Sequence, residues 1–315
     1  MIKLEPAYKD YIWGGVKLKT NFSKRSDLDI VAESWELSTH PDGQSIVANG
    51  EFAGKSLSEY IKANGTSVLG TSCHDDIPIL IKLIDAKGSL SIQVHPDDEY
   101  ALANESDFGK TEMWYILEAE PGAQLVYGFN KDLTQQEFKQ HIENNTLTEV
   151  MNYVDVSAGD VFFIEAGTLH AIGAGIVIAE IQQRSNVTYR VYDYGRVGVD
   201  GKPRELHVDK SIEVTNLDKA SGSKVAYEWH DINGGSIAVL VKCKYFDVSA
   251  IKVNSAVVRT VGNETFEALL GISGTMIVKS QDQTLMLNKG ETVFIPANSG
   301  EYTIEGNGEV IVSSL

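Results

Sequence analysis

The amino-acid sequence predicts a mainly β fold made of two similar β-barrels, with a small helical insertion in the N-terminal half. Three observations support this prediction: many short apolar runs, an internal repeat, and few segments with a helical pattern. The apolar runs have strand length, are rich in Val, Ile, Tyr and Phe, and are separated by Gly, Asn, Asp and Pro. They lie at 78–86, 113–119, 124–129, 160–167, 175–182 and 275–280.

Three segments of the N-terminal half have the composition of helices. They are 56–65, 132–145 and a shorter stretch at 96–106 that follows a proline. Asp97 and Asp98 are interpreted as favourable charges at the start of the short helix rather than as metal ligands. Helices are therefore expected as insertions between strands.

An internal repeat predicts the two barrels. Segments 159–170 and 290–301 both run Gly, acidic residue, apolar strand, Ala and turn. Upstream, 112–122 pairs without gaps against 264–274, and the first copy is longer between these blocks. The alternative is a chance similarity of short strand–turn segments. The repeat favours two barrels of one kind, with the first enlarged.

The second copy lacks the histidines of the first. Glu301 stands where the first copy has His170, and Glu264, the partner of Glu112, is not preceded by a Gln-x-His segment. Imidazoles are among the commonest metal ligands in proteins, so the second copy is not expected to bind a metal. We therefore expect two domains, at 1–225 and 226–315, with the C-terminal domain metal-free.

The composition is that of a globular protein. The 315 residues are 43% hydrophobic and 23% charged, which suffices for two modest domains. The beginning of the chain has no basic segment followed by an apolar run, and no stretch is apolar enough to cross a bilayer. The two cysteines, Cys73 and Cys243, lie far apart and are expected to be reduced. We therefore expect a cytoplasmic protein with no membrane partner.

The net charge of −17 argues against a nucleic-acid partner, because phosphates would be repelled along most of the surface. An anionic small molecule would require a local cluster of Lys and Arg within this acidic protein. The sequence does not predict the oligomeric state.

Four residues are candidate metal ligands. Gln93 and His95 are two apart on a predicted strand and point to the same face. Glu112 begins the next strong strand, and His170 follows a Gly-containing turn. Imidazole nitrogens and carboxylate oxygens suit zinc, and iron or manganese would also fit. Each residue alone is weak evidence, since a single His in a strand commonly has a structural role.

The surrounding motifs carry a family resemblance. The segment 159–170 resembles the second cupin motif, with Glu165 in place of the usual Pro, and the Gln-Val-His…Glu arrangement resembles the first. More closely, LSIQVHPDD, KTEMWY, AGTLHA, TYRVYDYGR and the opening IWGG resemble the type I phosphomannose isomerases in their short bacterial form. The resemblance covers about 1–215 with specific motifs. It implies a jelly-roll fold with the metal inside the first barrel.

The same resemblance implies a function and a ligand set. The expected activity is the interconversion of mannose 6-phosphate and fructose 6-phosphate, with a small-molecule sugar phosphate as partner and one zinc per chain. Carried over residue by residue, the zinc ligands fall on Gln93, His95, Glu112 and His170. The essential arginine of the family falls on Arg190 and is expected to stabilise an enediolate.

Other ionisable residues near the ligands are assigned further roles. Lys110, two residues before Glu112, is expected to hold a substrate hydroxyl or, with a lowered pKa, to transfer a proton. Glu180 is a candidate acid or base. The resemblance places Lys82 and Ser91 near the phosphate. Arg196 stands where related enzymes carry Lys, and a guanidinium is not equivalent to an ammonium. The alternatives for these residues are surface cations and structural ion pairs.

Two other functions fit parts of this pattern. A metal-dependent cupin oxygenase would use iron with a similar His and Glu set. A sugar-binding or regulatory cupin would bind ligand without turnover and would tolerate Arg190→Ala. The blocks KTEMWY and TYRVYDYGR favour the isomerase.

Overall fold

The computed structural model describes residues 1–73, 75–198, 201–222 and 224–315, and it is mainly β, as predicted. The strands are β1 Ile2–Glu5, β2 Ala7–Lys9, β3 Glu33–Leu37, β4 Ile46–Val47, β5 Ile79–Ala86, β6 Ile92–Val94, β7 Glu112–Ala119, β8 Gln124–Phe129, β9 Met151–Asp155, β10 Val161–Ile164, β11 His170–Ile172, β12 Ile176–Gln183, β13 Tyr189–Tyr192, β14 His230–Ile232, β15 Gly235–Lys242, β16 Asp247–Val253, β17 Ala256–Val261, β18 Glu267–Lys279, β19 Thr284–Asn288, β20 Thr292–Ile295 and β21 Gly300–Ser314. The α-helices are α1 Lys17–Asn21, α2 Leu57–Asn64, α3 Asp98–Asn104, α4 Gln135–Glu143 and α5 Val208–Val214. Short 3₁₀ turns lie at Gly50–Phe52, Thr66–Val68 and Leu147–Val150.

The three predicted helices are confirmed as α2, α3 and α4. Ser56 and Thr134 cap α2 and α4 through reciprocal hydrogen bonds with Glu59 and Glu137, which satisfies free amide groups at each helix start. Asp97 caps α3 by accepting a hydrogen bond from the backbone of the first turn. In the part of the chain that the structure describes, no helix has the length and apolarity to cross a membrane.

Two antiparallel sheets build most of the N-terminal half. One has six strands in the order β10-β7-β12-β5-β3-β2, and the other has five in the order β13-β6-β11-β8-β9. An apolar cluster joins Trp114 and Phe162 of the first sheet to Leu125 of the second. This double-sheet packing fits a jelly roll. Neither sheet closes on itself among the described residues, so the closed barrel remains an interpretation.

The C-terminal half is one ten-stranded sheet in the order β14-β15-β16-β21-β18-β20-β1-β4, with β17 paired to β21 and β19 paired to β18. Its edge includes the beginning of the chain, because β1 pairs with β20 and Ile2 lies opposite Phe294. The first residues of the chain therefore belong to the C-terminal sheet. The division of the chain into two domains at residue 225 stays a prediction.

The central strands of the six-stranded sheet are buried on both faces. Ile81 and Ile181 join Phe266 and Phe294 in the large apolar cluster between the two halves of the chain. Every residue of β5 and β12 is buried, which explains their nearly continuous apolar sequences. Charged residues inside such strands must find partners on the other face, and that face holds the candidate site.

The strand register corrects one part of the repeat. In the first copy Ile164 pairs with Glu112, and in the second Ile295 pairs with Glu267. Because Ile164 and Ile295 occupy the same place in the repeat, the counterpart of Glu112 is Glu267, and the expected match to Glu264 is wrong. The spacing from this Glu to the next repeat glycine, Gly122 in the first copy and Gly274 in the second, is three residues shorter in the second copy. An alignment without gaps cannot show this difference.

A side-chain cation lies against Glu267 in the second copy. Glu301, the counterpart of His170, pairs across strands with Thr260, and the neighbouring Arg259 pairs with Tyr302. The Arg259 guanidinium forms a two-point ion pair with the buried Glu267 carboxylate, which also accepts a hydrogen bond of 2.5 Å from the Tyr302 hydroxyl. This arrangement supports the prediction of a metal-free C-terminal half.

Arg259→Met is expected to destabilise the protein by about 2–3 kcal/mol, because it leaves a buried carboxylate without its cation. The measurement is the urea unfolding midpoint, with and without a chelator. The matched control is Lys279→Met, which breaks the more exposed pair with Glu305 and should cost less than about 1 kcal/mol. If Arg259→Met lowered the stability only when the chelator is present, the ion pair would not act independently of metal, which would contradict this prediction.

Candidate active site and metal centre

Strand pairing brings the candidate ligands together. Gln93 on β6 lies opposite His170 on β11, and Glu112 begins β7 in the other sheet. His95 directly follows β6. One ligand atom each from His95, Glu112 and His170 lies within 4.8 Å of the other two, and all three side chains are buried. The cluster therefore sits between the two sheets.

Backbone carbonyls orient both imidazoles. His95 Nδ1 lies 2.8 Å from the carbonyl oxygen of Val187, and His170 Nδ1 lies 2.8 Å from that of Thr168. A carbonyl can only accept, so each Nδ1 carries the hydrogen and each Nε2 keeps its lone pair. The Nε2 atoms lie 3.9 Å (His95) and 3.4 Å (His170) from oxygens of Glu112.

The fourth candidate ligand and the carboxylate complete a donor set that fits a divalent cation. Both Glu112 oxygens are buried without a hydrogen bond, although the Lys110 ammonium forms an ion pair with one of them. Gln93 Nε2 lies 3.4 Å from His170 Nε2, and a half-turn of the amide would bring its oxygen to the same point. Two imidazoles, a carboxylate and an amide oxygen suit zinc, iron or manganese.

Burial sets the protonation of the cluster. Burial lowers the pKa of His170 to about 4, and burial together with the charge of Lys110 lowers the pKa of His95 well below its usual value. Both imidazoles are therefore neutral at pH 7, as metal ligands must be. Burial and the neighbouring Glu180 charge raise the pKa of Glu112 to about 7.

A row of alternating charges leads away from the cluster. Glu33 Oε2 lies 3.7 Å from Lys82 Nζ, which lies 3.6 Å from Glu180 Oε1. Glu180 Oε1 lies 3.5 Å from Lys110 Nζ, which also pairs with Glu112. Three carboxylates thus face two ammonium groups. A bound dication would offset the excess negative charge.

The row also determines which groups stay charged. Burial would raise the pKa of Glu180, but the ammonium groups of Lys110 and Lys82 outweigh it and lower that pKa. Burial would lower the pKa of Lys110, but Glu112 and Glu180 outweigh it and raise that pKa. Glu180 is therefore a carboxylate and Lys110 an ammonium at neutral pH.

A cavity of about 260 Å³ opens beside the cluster. This volume suits one small molecule. Its walls combine charged, polar and aromatic side chains from both sheets and from the turn before α1. The lining residues are Tyr11, Trp13, Glu33, Lys82, Ile84, Leu90, Ser91, Gln93, Lys110, Ile172, Glu180, Asn186, Thr188, Arg190 and Arg204.

Two glycines bring the aromatic wall close to the sheet. A Cβ on Gly14 would lie 2.4 Å from the Cβ of Ala32, and a Cβ on Gly15 would lie 2.4 Å from a carboxylate oxygen of Asp85. Both positions therefore require Gly, because any side chain would push the turn outward. This close approach places Trp13 on the cavity wall, which gives the IWGG segment a structural explanation.

Two guanidinium groups also line the cavity. Arg190 on β13 donates from Nη1 to the carbonyl oxygen of Glu205 at 2.9 Å, and its buried Nε has no hydrogen-bond partner among the described residues. Burial and the charge of Arg204 lower the pKa of Arg190. A locally positive wall in a protein of net charge −17 is suited to an anionic ligand.

Comparison with known proteins identifies the family. Residues 1–122 match the family model described as phosphomannose isomerase type I, catalytic domain, and residues 236–315 match that of the mannose-6-phosphate isomerase cupin domain. The probable mannose-6-phosphate isomerase GmuF of Bacillus subtilis (strain 168) is 37% identical over 320 residues, covering 98% of each chain. The chain belongs to the type I phosphomannose isomerase family.

Two further proteins, both named as mannose-6-phosphate isomerases, support this assignment. The mannose-6-phosphate isomerase of Streptococcus mutans is 35% identical over 303 residues, which cover 96% of this chain and 94% of that protein. The crystal structure of the mannose 6-phosphate isomerase from Bacillus subtilis superposes with a TM-score of 0.93 at 35% identity, covering 100% of this chain and 99% of that one. The predicted family is confirmed.

The structure brings nine of the ten predicted site residues to one place. Six line the cavity and three form the His–Glu–His cluster beside it; in chain order they are Lys82, Ser91, Gln93, His95, Lys110, Glu112, His170, Glu180 and Arg190. Arg196 does not line the cavity. Its guanidinium lies 2.5 Å from Asp193 and 2.5 Å from the carbonyl oxygen of Ser89. Whether these ten residues have the roles given to them in the family stays a prediction.

Sequence reasoning missed several residues of the cavity. Glu33 is two residues before Trp35, which donates to it at 2.7 Å, and an acidic residue in an otherwise buried strand was an available signal. Arg204 had no such signal, because it lies in an irregular loop that returns to the wall beside Arg190. Only the folded loop distinguishes Arg204 from Arg196.

Proposed function

We propose that this chain is a zinc-dependent isomerase that interconverts mannose 6-phosphate and fructose 6-phosphate through an enediol, with one zinc per chain. The observation that carries the proposal is the buried His95–Glu112–His170 cluster beside a cavity that two guanidinium groups also line. Such a site can hold a metal at one end of a small anionic sugar and a phosphate at the other. Membership of the type I phosphomannose isomerase family selects this substrate.

The donor set supports zinc as the metal. When bound, a zinc ion acts as a Lewis acid that polarises a carbonyl oxygen and an adjacent hydroxyl. Zinc is also redox-inert, which suits an isomerisation and disfavours the oxygenase alternative. His95 and His170 would hold it through Nε2 and Glu112 through its carboxylate, with Gln93 supplying an amide oxygen.

Glu180 is proposed to move the proton between C1 and C2. Its Oε1 is buried without a hydrogen bond, while Trp114 donates to Oε2 at 3.0 Å and fixes the carboxylate. A fixed, ionised carboxylate on a cavity wall fits a general base. The ammonium groups of Lys82 and Lys110 stabilise the ionised carboxylate of Glu180 before it accepts the proton and after it has returned it.

Lys110 is proposed to act as a cation. A proton-transfer role required a lowered pKa, whereas Glu112 and Glu180 raise the pKa of Lys110 above its usual value. The ammonium group therefore suits a hydrogen bond to a substrate hydroxyl or to the developing oxyanion. Arg190, which pairs across strands with Gln93, would stabilise the same negative charge through its unpartnered Nε.

The phosphate is proposed to lie at the Arg204 end of the cavity. Ser91, also a lining residue, offers a hydroxyl donor to the cavity. Lys82 pairs with Glu33 and Glu180, which fits a role near the sugar hydroxyls better than the expected role near the phosphate. The acidic surface remains unsuited to nucleic acid.

We propose a cytoplasmic location and a structural role for the C-terminal half. Both cysteines are free thiols, as expected in a reducing compartment. In the second copy Glu267, the counterpart of Glu112, is paired with Arg259. Residues 226–315 therefore support the catalytic domain at 1–225 without binding metal themselves.

A coupled assay tests the function. The protein should convert mannose 6-phosphate to fructose 6-phosphate, chelation should abolish the activity, and added zinc should restore it. Restoration only by ferrous iron together with dioxygen consumption would favour the oxygenase. Binding of the sugar phosphate without turnover, unaffected by chelation, would favour the regulatory cupin.

A further inference from the structure

Asp193 holds two arginines at the edge of the cavity. It directly follows β13, is 5% exposed, and its carboxylate accepts hydrogen bonds from both guanidinium groups. Arg204 donates from Nε to Oδ2 at 2.7 Å and from Nη2 to Oδ1 at 2.5 Å. Arg196 donates from Nη2 to Oδ1 at 2.5 Å. One carboxylate thus faces two permanent cations, which leaves a net positive charge.

The two arginines differ in the hydrogen-bond donors that remain available to a ligand. The other nitrogens of Arg196 bind the backbone: Nη1 donates to the carbonyl oxygen of Ser89, and Nε donates to that of Asp193 at 3.3 Å. Its guanidinium also stacks 5.2 Å from the ring of Tyr194. Arg196 therefore ties the loop after β13 to the segment that precedes Ser91.

Arg204 keeps one edge of its guanidinium available. Asp193 occupies the edge formed by Nε and Nη2, and Nη1 has no hydrogen bond within the ranges that the structure describes. Arg204 lines the cavity, and Arg196 does not. The edge formed by Nη1 and Nη2 can bind two oxygens of a phosphate while the other edge stays on the carboxylate.

We propose that Asp193 is a positioning residue that clamps the Arg204 guanidinium on the cavity wall for the phosphate of the substrate, with Arg196 as a strut rather than a ligand. The inference deepens the proposed function and rests on it for the substrate. It reassigns Arg196, for which the sequence predicted substrate binding.

Asp193→Asn tests the clamp. The amide keeps one acceptor oxygen but loses the charge and the two-point pairing, so Arg204 is no longer fixed. We expect KM for mannose 6-phosphate to rise about tenfold, the size of one lost charge-assisted hydrogen bond, with kcat within about threefold of wild type. Arg204→Gln should raise KM at least as much. Arg196→Gln, the matched control, should raise it less than about threefold.

A direct binding measurement separates this inference from the proposed function. Sorbitol 6-phosphate has no carbonyl and cannot be isomerised, so calorimetric titration reports binding without turnover. Asp193→Asn should weaken its binding about tenfold and leave binding of unphosphorylated sorbitol unchanged. If wild type binds sorbitol 6-phosphate but does not isomerise mannose 6-phosphate, the proposed function fails and the clamp is still tested.

A double-mutant cycle distinguishes positioning from general structural support. If Asp193 acts through Arg204, adding Asp193→Asn to Arg204→Gln should cause little further loss of affinity. Additive losses would overturn the inference. So would an Arg196→Gln variant that weakens phosphate binding as much as Arg204→Gln, and this comparison of single variants decides the matter if Asp193→Asn does not fold.

Discussion

Glu112→Gln is expected to remove the bound metal and to lower kcat/KM for mannose 6-phosphate by about three orders of magnitude. The carboxylate is the anionic member of the cluster, and its oxygens lie against the Nε2 atoms of His95 and His170. An amide of the same shape cannot offset the charge of a dication. Loss of several kcal/mol of transition-state stabilisation corresponds to this factor.

Three measurements check this expectation. Elemental analysis should find about one zinc per chain in wild type and far less in Glu112→Gln, in keeping with the one buried His–Glu cluster that the described residues form. Added zinc should raise the melting temperature of metal-depleted wild type, because a ligand that binds only the folded state stabilises it, and should leave that of Glu112→Gln unchanged. The isomerase assay gives the third.

The same strand provides a control. Glu118, also on β7, is partly exposed and pairs with Lys289 at 3.2 Å, away from the cavity. Glu118→Gln should keep full metal content and activity. A Glu112→Gln protein that still carries one zinc and turns over normally would place the metal elsewhere.

The sequence predicted most of the fold because the signals are local. Strand-length apolar runs, helix-capping residues such as Ser56 and Thr134, and glycines in turns each specify structure through nearby atoms. Charges within buried strands were a second signal that sequence reasoning did not use: Lys82 and Glu180 interrupt otherwise apolar sequences and lie opposite each other in the sheet.

The remaining features depend on contacts that no local pattern encodes. The pairing of β1 with β20 joins residues from opposite ends of the chain. The three-residue offset that makes Glu267 the counterpart of Glu112 appears only in the strand register. The choice between Arg196 and Arg204 depends on how an irregular loop folds back, which side-chain chemistry alone does not determine.

Arg190→Ala is expected to lower kcat by about a hundredfold or more while changing KM by only a few fold. The buried Nε of Arg190 has no partner among the described residues, so its N–H donor and positive charge are available to a bound substrate on the cavity wall. Such a donor acts mainly when negative charge develops on the enediolate. Removing one oxyanion donor typically costs about 3 kcal/mol in the transition state.

The ratio of the two losses is informative. Equal decreases in kcat and in substrate affinity would assign Arg190 to uniform binding of the sugar phosphate instead. Arg190→Lys keeps the charge but not the planar fork, so it should recover only part of the rate. Arg184→Ala serves as the control, since Arg184 pairs with Asp76 at 2.9 Å and does not line the cavity.

The Arg190 and Asp193 variants together separate the two tasks of the positive wall. Arg190 should affect turnover, and the Asp193–Arg204 pair should affect affinity for the phosphate, although the two guanidinium groups line the same cavity. The difference follows from their partners. Arg204 is held by a carboxylate before substrate arrives, whereas the Nε of Arg190 stays without a partner until charge develops beside it. A regulatory cupin without turnover would tolerate Arg190→Ala and would still require Arg204 to bind a sugar phosphate.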